Sequence, residues 1–232
     1  IKFMNTISKY KSSMLLFVLS SLWALHFSLV KLVDADNNPF SILVPLLLIL
    51  CFLFFLVLKI NNQTFKFTLR KSLFFGIAGI FAYVIPLYVE FLVAPKIDAG
   101  ILVLIVSSVP VFTLFIVWLF RLLSINLKLI LGTLSGIVGV SLIMFGNSNN
   151  TLNIWAILAL IVPLSYSFDA IFMEKFWPSK LNTFQVAFGE CIASLILIIF
   201  LNFLLGASID EYAFWFKLES FWWLSIVTFI EI

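Results

Sequence analysis

Charged side chains are scarce in this chain. Asp, Glu, Lys and Arg make up 11% of its 232 residues, whereas hydrophobic residues make up 63%. A soluble globular domain carries about 25% charged residues. The deficit excludes a water-soluble globule and indicates a protein that lies within a membrane.

Histidine and cysteine are nearly absent as well. His26 is the single histidine, and the two cysteines, Cys51 and Cys191, both lie in apolar segments. A zinc site needs three or four clustered ligands, and a secreted disulfide scaffold needs a larger set of cysteines. We therefore expect buried thiols, no metal site and no cofactor.

Motifs of membrane-embedded enzymes are missing too. No glycine-rich phosphate loop precedes a lysine, so the chain lacks the signature of an ATP-driven pump. An intramembrane aspartyl hydrolase needs two apposed aspartates, and only Asp169 lies well inside an apolar segment. The sequence thus favours a protein that is not an enzyme.

Long apolar runs make up almost everything else. A helix of about 20 apolar residues crosses the hydrocarbon core of a bilayer, and the first run is too long for a signal peptide. The sequence predicts an all-α, polytopic transmembrane helix bundle. The predicted spans are 13–33, 39–59, 71–93, 98–120, 126–146, 152–174, 182–206 and 219 onward.

Lysine and arginine alternate between the two sides of these spans. One side has 11 of them and the other has 3. The richer side holds Lys2, Lys9, Lys11, Lys59, Lys66, Arg70, Lys71, Arg121, Lys128, Lys175 and Lys180, and the poorer side holds Lys31, Lys96 and Lys217. Because positive residues accumulate on the cytoplasmic side, the N-terminus is predicted to be cytoplasmic.

A weak internal repeat accompanies the spans. A shift of 144 residues aligns 23–31 with 167–175, so that Lys31 meets Lys175. The first and sixth spans then begin corresponding units but cross in opposite directions, as in the inverted repeats of secondary transporters. We expect one five-helix unit at 1–148 and a second, truncated unit at 149–232.

The order of motifs along the chain resembles the EamA-like family of the drug/metabolite transporter superfamily. The resemblance covers about residues 13–146 well and 152–205 loosely. It is carried by Trp23, Phe27 and Lys31 in helix 1, Pro39-Phe40 in helix 2, Ala99-Gly100 and Ser108-Val109-Pro110 in helix 4, and Leu131-Gly132 with Gly136-Ile137-Val138-Gly139 in helix 5. Proteins of this family have ten helices, so about eight of ten are present here, and we expect the chain to be a fragment.

The resemblance implies a secondary active transporter that works by alternating access. Its substrates would be small metabolites, amino acids or drug-like molecules, exported across the plasma (inner) membrane with proton or cation coupling. The implied partners are a small-molecule substrate and the lipid bilayer, with no nucleic acid; a homodimer stays open. A nucleotide-sugar or organophosphate antiporter is the alternative, followed by a membrane-embedded enzyme or a scaffold.

Ionisable residues at bilayer depth are costly and mark functional sites by default. Asp169 shares a helix face with Tyr166 and is either a proton or basic-substrate site or a helix-locking acid. Glu190 either acts in the pathway or pairs with Lys175 or Lys180 at the cytoplasmic edge. Glu90 ends a face that could line a cavity, or it reaches headgroups or Lys96.

Each remaining candidate also has a functional interpretation and a structural one. His26 could relay protons or be a neutral, hydrogen-bonded histidine. Lys31 could also be an outer anchor, and the two serines of the fourth span could bond their own helix. The predicted substrate or proton pathway comprises Asp169, Tyr166, Glu190, Glu90, Tyr83, His26, Trp23, Lys31, Ser107 and Ser108. Gly132, Gly136 and Gly139 are predicted to be helix-packing residues.

Overall fold

Every regular element that the structure describes is helical. A computed structural model describes residues 2–33, 38–64, 68–121, 127–145, 154–205, 212 and 214–231. The helices are α1 (Lys2–Val33), α2 (Pro39–Ile60), α3 (Leu69–Gly79), a π-helical segment (Ile80–Val84), α4 (Ile85–Val93), a 3₁₀ turn (Ala94–Lys96), α5 (Ala99–Val106), α6 (Val109–Leu119), α7 (Leu127–Phe145), α8 (Ile154–Ala159), α9 (Ile161–Phe176), α10 (Thr183–Leu205) and α11 (Glu219–Glu231). The predicted all-α bundle is confirmed.

Six of the predicted spans appear as helical stretches long and apolar enough to cross a membrane. They are Ser13–Val33, Pro39–Ile60, Leu69–Lys96, Ala99–Leu119, Ile154–Phe176 and Thr183–Leu204. The fifth and eighth predicted spans are helical as α7 and α11. The chain is therefore a multi-pass membrane protein. The predicted unit boundary at 148/149 and the Asn147–Asn150 connection lie outside the described residues.

Proline determines the irregular middle of the third span. Pro86 has no N–H to donate and its ring disfavours the preceding turn. The Ile85 N–H instead reaches the carbonyl of Ile80, which widens one turn into a π-helix. The Phe81 carbonyl is thereby left without a backbone donor, and the Ser165 hydroxyl of α9 donates to it at 2.8 Å. This bond links the irregular segment to α9.

A second proline interrupts the fourth span. α5 ends at Val106 and α6 begins at Val109, with Pro110 in the first turn of the new helix. The Ser107 hydroxyl bonds the Val103 carbonyl at 2.7 Å, which is a bond within its own helix. Ser108 is buried and bonds the nearby Ile105 carbonyl. Both serines therefore satisfy local backbone groups at the break.

Helix pairs from distant parts of the chain pack together, including α6 with α9 and α3 with α10. α2 packs on α10, α1 packs on α11, and α4 packs on α9. The core at these contacts includes fully buried Phe27, Phe54, Phe91 and Phe221. Many large apolar side chains outside it are exposed, such as Phe203 at 81%. Apolar exposure on this scale suits a surface that faces lipid rather than water.

The glycines that allow close helix packing are mostly not the predicted ones. A methyl group on Gly189 would lie 2.6 Å from the Phe75 ring, and one on Gly79 would lie 2.9 Å from the Glu190 carbonyl oxygen. Of the predicted set, only Gly136 is in such contact, against Val111 of α6. Gly132 and Gly139 have open space where a side chain would stand. For these two no described neighbour lies close enough to show a packing contact, and their packing role stays a prediction.

Candidate functional site

A cavity of about 520 Å³ lies between α1, the π-helical segment, α9, α10 and α11. This volume falls within the range of small-molecule sites, about 300–1,000 Å³. Its lining residues are Leu16, Leu19, Ser20, Trp23, His26, Ala82, Tyr83, Leu87, Tyr166, Asp169, Glu190, Thr228 and Glu231. Six of these were predicted as pathway residues, namely Trp23, His26, Tyr83, Tyr166, Asp169 and Glu190. The structure brings them together from four helical segments.

The π-helical segment positions the wall of this cavity that belongs to the third span. A π turn rotates the following residues relative to a regular helix, and such turns occur frequently at functional sites. Tyr83 lies within the turn and is 3% exposed, and Leu87 follows it on the same wall. The proline that creates the turn therefore also helps to place an aromatic side chain in the cavity.

Three carboxylates line the cavity and each has a buried oxygen without a hydrogen-bond partner. These oxygens are Asp169 Oδ1, Glu190 Oε1 and Glu231 Oε1, judged within the described residues. Glu190 is 4% exposed. The ion pair predicted between Glu190 and Lys175 or Lys180 does not form in the part of the chain that the structure describes. The reason is that Glu190 is buried against α3 near Gly79, whereas both lysines are exposed.

Glu90 lies behind the cavity in a buried hydrogen-bond cluster. One carboxylate oxygen is 3.3 Å from His26 Nε2, and the other accepts a bond from the Tyr166 hydroxyl at 3.2 Å. Glu90 is completely buried. The interpretation that it reaches headgroups or Lys96 is therefore wrong, because it points inward to α1 and α9.

The other ring nitrogen of His26 faces α11. His26 Nδ1 is 3.2 Å from Thr228 Oγ1 and 3.3 Å from Glu231 Oε2. The Thr228 hydroxyl donates to the Leu224 carbonyl at 2.8 Å, so its oxygen is available as an acceptor for the ring. One histidine thus joins α1, α4 and α11 in a single polar cluster.

Sequence reasoning missed Thr228 as a member of the site and left Glu231 without a role. The sequence does contain an indication of this site, because the two residues are spaced i, i+3 and share one face of an otherwise apolar helix. Glu231 received no role because it lies next to the last residue of the sequence. Its contact with His26 joins residues 205 positions apart in the chain, and spacing alone gives no indication of such a pair.

Three predicted pathway residues lie elsewhere. Ser107 lines a second cavity of about 360 Å³ together with Trp23, which contacts both cavities. Ser108 is buried at the break between α5 and α6. Lys31 donates to the Ile97 carbonyl at 2.7 Å and lies 3.8 Å from Asp98, and it therefore fastens the end of α1 to the turn before α5.

The fold and the site define a class: a multi-pass helical membrane protein with a polar, acid-lined cavity inside an apolar bundle. A family model matches residues 11–145, and its description is the EamA-like transporter family. The chain belongs to this family, which confirms the resemblance drawn from its motifs. No curated protein and no solved structure matches the chain significantly.

Proposed function

We propose that the protein is a secondary active transporter whose substrate site is the cavity between α1, α9, α10 and α11. The observation that carries this proposal is the composition of the cavity. Ionisable side chains from both predicted units converge there, with His26 and Tyr83 from the first and Asp169 and Glu190 from the second. Intramembrane ionisable groups that face a cavity mark substrate and ion pathways.

The pattern of helix contacts supports two inverted units at 1–148 and 149–232. A twofold axis between the units would exchange span 1 with span 6, span 2 with span 7 and span 3 with span 8. A contact between spans 1 and 8 would then be matched by a contact between spans 6 and 3. Both contacts are present, as α1 with α11 and α9 with α4. Spans 2 and 7 exchange with each other and pack together as α2 with α10. The cavity then lies between the units, as in transporters that work by alternating access.

The buried cluster around His26 supports proton coupling. Histidine titrates near neutral pH when unperturbed. Its two nitrogens contact Glu90 on one side and Glu231 with Thr228 on the other. Tyr166, Tyr83, Asp169 and Glu190 complete the titratable groups around the cavity. A proton on this cluster would change the charge at the boundary between the two units.

The proposed orientation, direction of transport and membrane are based on the charge distribution and the family. The proposal includes a cytoplasmic N-terminus, which 11 of the 14 basic residues on one side support. The proposal includes export of small metabolites across the plasma membrane and no enzymatic activity. An organophosphate antiporter is disfavoured, because none of the described residues that line the cavity is Lys or Arg.

Export is tested by comparing the small molecules that cells release. Mass spectrometry of the medium would compare cells that produce the wild-type chain, Asp169→Asn or Glu174→Gln. Glu174 is an exposed acid on the same helix as Asp169 and is a matched control. We expect one or more compounds to accumulate with the wild type and the control but not with Asp169→Asn. Identical media at equal membrane amounts of protein would contradict the proposal.

A further inference from the structure

We infer that the cavity binds a small organic cation, an amine attached to an apolar body, with Glu190 and Asp169 as its counter-charges. The inference rests on the proposed transport function and specifies its substrate class. Three observations carry it: the charge of the lining residues, the burial of an unpaired carboxylate, and the aromatic side chains among the lining residues.

The lining residues carry acids without matching bases. Asp169, Glu190 and Glu231 contribute carboxylates, and no Lys or Arg lines the cavity within the part of the chain that the structure describes. Among the described lining residues, His26 alone has a side chain that can become cationic, and its ring already contacts Glu90 and Glu231. Asp169 and Glu190 therefore have no cationic partner among the described residues.

Glu190 is the side chain that most requires a ligand. It is 96% buried, and its Oε1 has no hydrogen-bond partner within the part of the chain that the structure describes. A buried carboxylate is stable only when it is neutralised or paired. An ammonium group that enters the cavity would supply both the charge and the N–H donors, and such charge-assisted bonds are the strong ones.

The rest of the wall fits the body of such a molecule. Trp23 and Tyr83 contribute aromatic rings to the lining, and aromatic rings attract cations through their quadrupoles. Leu16, Leu19 and Leu87 make the remaining surface largely apolar. A volume of about 520 Å³ leaves room for an aromatic or branched aliphatic group beside the amine.

The same lining argues against two other classes of substrate. An anion would meet carboxylates and no basic side chain. An amino acid carries a carboxylate of its own, for which the lining offers no free cation, because His26 is already engaged. An amine without a carboxylate therefore fits better than the zwitterion of similar size.

Four molecules of similar shape and different charge would test this inference. The full chain in lipid nanodiscs would be assayed for binding of radiolabelled 2-phenylethylamine. Unlabelled 2-phenylethanol, phenylacetate and phenylalanine would serve as competitors. We expect the amine to bind and the neutral, anionic and zwitterionic molecules to compete at least tenfold more weakly than unlabelled amine.

Substitutions of the two acids test whether the amine binds at Glu190 and Asp169. Glu190→Gln removes the charge and keeps the shape, and we expect it to weaken amine binding at least tenfold. Asp169→Asn, at a half-buried position, provides a second test if Glu190→Gln fails to fold, and Glu174→Gln should bind like the wild type.

The inference is overturned if phenylacetate or 2-phenylethanol competes as well as the amine. It is also overturned if the amine fails to bind, or if binding survives both acid variants. The release experiment separates this failure from a failure of the transport assignment. A wild-type-dependent release of anionic or neutral compounds would preserve transport and reject the cation.

Discussion

At the scale of single residues, the site depends on how Glu90 is paired. Its two oxygens contact His26 and Tyr166, and all three side chains come from different spans. Within a bilayer no water replaces a lost partner, so each member of such a cluster must be satisfied by the others. Glu90 therefore both stabilises the bundle and holds His26 beside the cavity.

Replacing Glu90 by alanine should destabilise the protein strongly. Glu90→Ala would leave His26 Nε2 and the Tyr166 hydroxyl without their described partner, which costs on the order of 3 kcal/mol for a buried pair. We expect a clearly lower thermal unfolding midpoint in detergent, whereas Glu174→Ala on the exposed face of α9 should change stability by less than about 0.5 kcal/mol. Equal midpoints for the two variants would show that the cluster is not structural.

Polar residues within apolar segments predicted many of the residues of the site. Which of these residues contact one another could not be predicted from the sequence. His26, Tyr166 and Asp169 stand out because polar groups inside a span are rare. The contact of His26 with Glu90 joins positions 64 apart, and it depends on how far each helix extends along the bundle axis. Glu90 stands near the predicted outer end of the third span, and the spacing of the sequence gives no indication that it is buried.

At the scale of helices, prolines and glycines determine how close the spans come. Pro86 creates the π-helical segment, and Ser165 supplies the donor that its Phe81 carbonyl lacks. Proline is visible in the sequence as a residue that interrupts helices. The form of each break was not predictable, because it depends on which neighbouring side chain satisfies the freed carbonyl.

A pair of glycine variants tests which helices are in close contact. Gly189→Ala would push a methyl group against the Phe75 ring and should cost about 1–3 kcal/mol. Gly139→Ala has open space and should be neutral, or stabilising by up to about 1 kcal/mol through helix propensity. Unfolding midpoints in the same detergent would compare the two. Equal destabilisation would contradict the close packing of α3 and α10.

At the scale of the whole molecule, the cavity lies where the two predicted units meet. The number of spans and the alternation of basic residues follow from hydropathy and charge, which depend on sequence alone. The cavity depends on the packing of α1 against α11 and of α4 against α9. Those contacts join segments that are distant in the chain. The internal repeat has low sequence identity, so it suggested that the two units pack together but did not predict which helices touch.

Access to the cavity from the two sides of the membrane tests the transport account most directly. Ser20→Cys would place a thiol on the cavity wall in a chain whose native Cys51 and Cys191 are changed to alanine. Ser225→Cys, at a fully buried position of α11 that does not line the cavity, is the control and should stay unlabelled. A membrane-impermeant thiol reagent would be applied to right-side-out and to inside-out vesicles. The account predicts labelling of Ser20→Cys from both sides, and labelling from one side alone would contradict it.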